Sequence, residues 1–162
     1  MPNSTPALKS KTGSTPSTLG FEEIKAIIPQ RFPFLMVDRV IELVPGERVV
    51  AVKNLTGNEW FYQGHFPERA ITPGAMMLEA MAQVGIVFFH FCSKEERDVT
   101  YLLGSAKIRF LEPVFPGSQL KIEIIPIKLT SKAGIPNGEI SVDDRMVAKG
   151  EFALGMKANK TW

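Results

Sequence analysis

Thr72-Pro73-Gly74-Ala75-Met76-Met77-Leu78-Glu79-Ala80-Met81-Ala82-Gln83-Val84-Gly85-Ile86-Val87-Phe88-Phe89-His90-Phe91-Cys92 is apolar nearly all the way round a helical wheel. Thr72 has the side chain of an N-cap, and Pro73 suits the first helical position, where its missing N–H has no partner to lose. A helix of about 18 residues without a polar face must be wrapped by protein rather than laid on its surface. The segments on either side therefore have to supply the wrapping.

Upstream, residues 21–28 (FEEIKAII) put Phe21, Ile24, Ile27 and Ile28 on one face of a short helix. Val37–Val44 and Arg48–Asn54 are β-branched runs joined by Pro45-Gly46, so a hairpin is expected; Gly57–Gln63 reads as a short aromatic strand. Downstream, Lys94–Asp98 returns the chain to solvent. Tyr101–Phe110, Gln119–Leu129 and Glu139–Leu154 then read as strands. Pro116-Gly117 and Pro136-Asn137-Gly138 separate them, and Asp143-Asp144 bends the last into a hairpin. The expected fold class is α+β, one antiparallel sheet curled around a central helix.

The chain has 162 residues, 44% of them hydrophobic and 22% charged, which suits one domain with a substantial core. Residues 1–20 are rich in Ser, Thr, Pro and Gly and free of acids, and they read as a disordered tail. A targeting peptide shares that character, but this stretch has no Arg and is short. The single domain is expected over residues 21–157, with a C-terminal tail at 158–162. Lys9 and Lys11 are the only charges before Glu22, so the remainder balances at seventeen of each sign. Such a body lacks the clustered basic surface that nucleic acid requires. No apolar run is read as reaching the ~20 residues of a bilayer span, and no membrane insertion is expected. Cys92 is the only cysteine, so no intrachain disulfide forms, which fits a reducing cytoplasm.

Within the long helix Glu79, Gln83 and His90 stand out. A carboxylate among Met, Leu, Ala and Val is costly to ionise, so its pKa should rise, and an acid that keeps its proton near neutral pH suits general acid catalysis. The same pattern also suits a glutamate paired with a buried Arg or Lys, or one facing a water-filled subunit seam. Gln83, one turn on, can hold Glu79 or a water in place. His65 lies in Gln63-Gly64-His65-Phe66-Pro67, a rigid loop able to aim an imidazole as a base, or equally to bond it to backbone. The first N–H groups of the helix have no internal partner, and Gly74 lets a thioester carbonyl approach closely, as in an oxyanion hole. Base, acid and oxyanion donor together describe β-elimination of water. His65, His90 and Cys92 do not have convincing zinc spacing, and His90 reads as a core or seam residue. No phosphate loop or nucleophile elbow appears, so neither metal nor cofactor is expected. Met76, Met77, Met81, Phe88 and Phe89 read mostly as core, some of them able to line an acyl tunnel.

Gly64-His65-Phe66-Pro67, Pro73-Gly74 and Glu79-Ala80-Met81-Ala82-Gln83 together resemble the signature of (3R)-hydroxyacyl-acyl carrier protein dehydratases of type II fatty acid synthesis. The likeness extends to Arg31-Phe32-Pro33-Phe34-Leu35-Met36-Val37-Asp38-Arg39-Val40, Lys107-Ile108-Arg109-Phe110, Pro113-Val114 and Pro116-Gly117, and so covers residues 21–155. The fourteen-residue step from His65 to Glu79 is the family's own. The resemblance implies a hot-dog fold and an obligate homodimer, commonly built into trimers of dimers, with His65 of one subunit facing Glu79 of the other. It implies acyl carrier protein bearing a 3-hydroxyacyl chain as partner, with Lys107 and Arg109 as its contacts. Gly74, Gln83 and Phe66 are implied to meet substrate, and Tyr101 to gate the acyl tunnel. Glu79, where sister enzymes that also isomerise have Asp, implies dehydration without isomerisation. The chain departs from the family pattern at Gln30, Ala70, Thr72 and Ala106, none of them catalytic. Two other readings keep the fold: an acyl thioesterase, and a non-catalytic acyl-binding subunit.

Overall fold

A computed structural model describes residues 17–93 and 98–159. The chain enters with a strand, β1 (Ser17–Leu19), followed by helix α1 (Phe21–Ile27), the hairpin β2 (Arg39–Val44) and β3 (Arg48–Asn54), and a 3-10 turn at Trp60–Gln63. Helix α2 (Gly74–Cys92) comes next, then β4 (Val99–Phe110), β5 (Gln119–Leu129), β6 (Ala133–Val142) and β7 (Arg145–Ala158). The strands form one antiparallel sheet in the order β1-β2-β3-β5-β6-β7-β4, and α2 packs against β3, β5, β6, β7 and β4. This helix wrapped by a curled sheet is the hot-dog arrangement.

Residues 17–19, expected in the tail, pair with β2 through Ser17↔Leu43 and Leu19↔Val40 and bury Leu19 in the core. The remainder of that tail, residues 160–162 and most of Lys94–Asp98 lie outside the described residues. Helix α1 starts where the Glu23 carboxylate reaches back to accept the Gly20 N–H at 2.7 Å. It ends where the Arg31 guanidinium donates to the carbonyls of Lys25, Ile28 and Gln30. That clamp also sets the start of the loop over residues 30–36.

Three sequence expectations are corrected. Gly57–Gln63 is not a strand: residues 60–63 wind into a 3-10 turn, closed by the Tyr62 N–H on the Glu59 carbonyl and the Gly64 N–H on that of Phe61. Both sides of β3 are already paired, to β2 and β5, and a 2.8 Å ion pair from Lys53 to Glu59 folds the segment back over β3. Pro136-Asn137-Gly138 is not a turn but the middle of β6, and the chain reverses earlier, at Thr130–Ala133. Gly134, Pro136 and Gly138 are the inward positions of that strand, and at the two glycines side chains of α2 take the space of a Cβ. A Cβ on Gly138 would lie 3.1 Å from the Met81 sulfur, and one on Gly134 would fall inside the Phe89 ring. The third correction concerns membrane length: α2 is long and apolar enough to cross a bilayer by length and composition, but 61% of its most apolar window is buried inside the protein.

Candidate active site

Helix α2 begins one residue later than its cap chemistry suggests. Pro73 is the N-cap and makes no side-chain cap bond, while the Thr72 hydroxyl is engaged by Tyr62 instead. The first turn closes through Met76 and Met77 N–H groups on the Pro73 carbonyl. The N–H of Gly74, at the first helical position, has no carbonyl within the helix to reach and carries the positive end of the helix dipole.

His65 stands at the other end of the same loop. Its Nδ1 lies 2.8 Å from the Ile71 carbonyl oxygen, and the Ile71 N–H returns a 3.0 Å bond to the His65 carbonyl. A carbonyl only accepts, so Nδ1 holds the proton and Nε2 of the neutral ring keeps its lone pair. The imidazole stacks on Phe66 at 4.1 Å, and the half-exposed Phe66 ring covers one face of it. His65, Thr72, Gly74, Met77 and Phe110 line one cavity of about 340 Å³. Phe110 was not singled out in the sequence, yet its ring occupies the space a Cβ on Gly74 would need, 2.9 Å from that position. A side chain at Gly74 would have to displace that aromatic wall.

Glu79 does not line this cavity. Five residues along a helix amount to a rotation of about 140° from Gly74, whereas Met77, three residues on, stays on the cavity side. One chain thus brings His65 and Gly74 together and leaves Glu79 on another face of α2. There Gln83 holds it: the Gln83 amide donates to Glu79 Oε1 at 2.7 Å and to the Phe34 carbonyl at 2.7 Å, and its own oxygen accepts the Met36 N–H at 2.8 Å. Gln83 is wholly buried, so the loop of residues 30–36 fixes the carboxyl through it. Burial pushes the Glu79 carboxyl above its ordinary range, and the Gln83 bond opposes this in part. No Arg or Lys pairs with Glu79 among the described residues.

The remaining expected residues fall elsewhere. Tyr101 is at the far end of β4 from Phe110, half-buried with its ring 6.0 Å from that of Phe89, and burial raises its phenol above the usual range. Lys107 and Arg109 are exposed on β4, which pairs with β7 alone. Among the described residues no three His, Cys, Asp or Glu side chains gather as metal ligands would.

Fold and cavity define a hot-dog protein with an imidazole and a helix N-terminus opening on one space. The model of the FabA-like domain family matches residues 28–151. The 3-hydroxyacyl-(acyl-carrier-protein) dehydratase FabZ of Clostridium novyi is 43% identical over 85% of the chain and 98% of its own length. That of Syntrophomonas wolfei is 44% identical over 85% of the chain and 96% of its own length. The chain belongs to the FabA-like family, among its 3-hydroxyacyl-(acyl-carrier-protein) dehydratases. In shape it is similar to the dehydratase heterocomplex ApeI:P from Xenorhabdus doucetiae, with a TM-score of 0.74 and 19% identity over 85% of this chain and 92% of that one.

Proposed function

We propose that the chain removes water from (3R)-3-hydroxyacyl chains carried on acyl carrier protein, giving the trans-2-enoyl thioester for fatty acid synthesis in the cytoplasm. His65 Nε2 takes the proton from C2. The Gly74 N–H, at the positive end of the helix dipole, receives the charge that develops on the thioester oxygen. Glu79 of a second copy protonates the departing 3-hydroxyl, so water leaves and the C2–C3 double bond forms. One proton passing from imidazolium to carboxylate resets the site without a cofactor.

The observation that carries this reading is the pairing of His65 Nδ1 with the Ile71 carbonyl, which leaves the Nε2 lone pair available on a side chain that lines the same cavity as Gly74. The second copy is supported by β4. It is the terminal strand of the sheet, and Leu102 and Leu103 are each 41% exposed along it. A long apolar edge of this kind is covered in soluble proteins, and a homodimer covers it. Phe66 and Phe110 would then wall the substrate, Tyr101 would gate the acyl tunnel, and Lys107 and Arg109 would meet the acidic carrier.

Purified protein given (3R)-3-hydroxybutyryl carrier protein should yield the enoyl thioester by mass spectrometry. His65→Ala and Glu79→Gln should each lower turnover by about a hundredfold or more, as for loss of a general base or acid. Near-normal turnover in His65→Ala would refute the assignment, and release of free thiol would mark hydrolysis instead.

A further inference from the structure

Among the described residues only three polar or charged side chains are classed as buried: Lys53, Thr72 and Gln83. Lys53 pairs with Glu59, and Gln83 holds Glu79. Thr72 remains, and its hydroxyl shares a 2.7 Å hydrogen bond with that of Tyr62, itself 6% exposed. The two residues bracket the site. Tyr62 belongs to the 3-10 turn whose Phe61 carbonyl accepts the His65 N–H, and Thr72 stands two residues before Gly74.

We infer that the Tyr62–Thr72 hydrogen bond is a positioning device, fixing the His65 loop against the start of α2 so that base and oxyanion donor keep their spacing. The inference rests on the roles proposed for His65 and Gly74. The tip of the loop between them lies at the surface: Phe66 and Arg69 bond to each other, and Pro67, Glu68 and Arg69 are exposed. The base of the loop is tied by Ile71 to His65 and by the Thr72 N–H to the Val114 carbonyl, and its tip rests with the Arg69 guanidinium over the Phe115 ring. The Tyr62 bond adds a link from the element before His65 to the element that presents Gly74. Burial raises the phenol above its ordinary range, so it stays protonated and the link persists across the working pH.

The test separates positioning from mere stability. Tyr62→Phe removes the hydroxyl and keeps the ring, which packs edge-on to Phe61 at 4.7 Å. It leaves the Thr72 hydroxyl buried without its partner, which costs stability. Tyr62→Phe with Thr72→Val removes both polar atoms and should recover that stability. Misplacement of reacting groups lowers kcat, so both variants should lose about tenfold in kcat with KM within about twofold of wild type. Thr72→Ser, which keeps the hydroxyl, should retain most of the turnover. The Gly74 amide resonance, read without substrate, should shift in both hydroxyl-deleted variants and stay in place in Thr72→Ser. That spectrum tests the pair independently of which thioester the enzyme accepts. Wild-type kcat in Tyr62→Phe, or a double variant that regains kcat and the Gly74 resonance together with its stability, would overturn the inference.

Discussion

Glu79 is the residue whose chemistry is most legible in sequence, because an acid among Met, Leu, Ala and Val has to be either paired or proton-holding. The structure shows no cationic partner among the described residues and a carboxyl raised by burial. Its raised pKa makes stability depend on pH with a definite sign. Folded protein binds the Glu79 proton more tightly than unfolded chain, so stability falls as pH climbs from the ordinary carboxylate range through the raised value. Glu79→Gln lacks this loss. Its unfolding midpoint relative to wild type should therefore rise between acid and neutral pH, measured by urea denaturation at each pH. A difference that stays constant with pH would contradict the raised pKa. His65 was less legible, since a lone histidine in a loop has many uses and its motif did most of the work. What singles it out physically is the Ile71 carbonyl, a partner no residue pattern reveals. Phe110 and Tyr62 were missed for a related reason: neither residue type names a role by itself, and only the approach to Gly74 or Thr72 gives it one.

At the scale of elements, the apolar run 74–92 was readable because a helix apolar on every face has to be kept from water, and the β2–β3 hairpin because Pro45-Gly46 turns between β-branched runs. The errors came where composition imitates a turn. Gly134, Pro136 and Gly138 have the residues of a loop, yet the two glycines stand there because the sheet must let α2 come close. Gly134→Ala should show this directly. Its Cβ would invade the buried Phe89 ring, and overpacking of that kind costs about 1–3 kcal/mol. Thermal or urea unfolding reads the loss, and unchanged stability would mean that α2 does not press on β6 at this point. The 3-10 turn at Trp60–Gln63 was misread for the opposite reason. Aromatic residues favour strands in isolation, but here β3 has no free side and the Lys53–Glu59 pair redirects the chain.

For the whole molecule the governing fact is that one chain does not bring His65, Gly74 and Glu79 to one cavity. His65 and Gly74 open on one cavity, while Glu79 sits about 140° round the helix from Gly74 and is held to a different loop by Gln83. An exposed apolar edge along β4 supports a second copy that completes the constellation. Subunit sharing makes a sharp demand on mixtures. His65→Ala and Glu79→Gln are each inactive in every site, but a mixed dimer carries one site with both lesions and one with neither. Unfolding the two variants together and refolding them at equal amounts should restore about a quarter of wild-type dehydration of (3R)-3-hydroxybutyryl carrier protein, because half the dimers are mixed and each has one intact site. A refolded mixture that forms mixed dimers and remains as inactive as its two components would contradict the shared site.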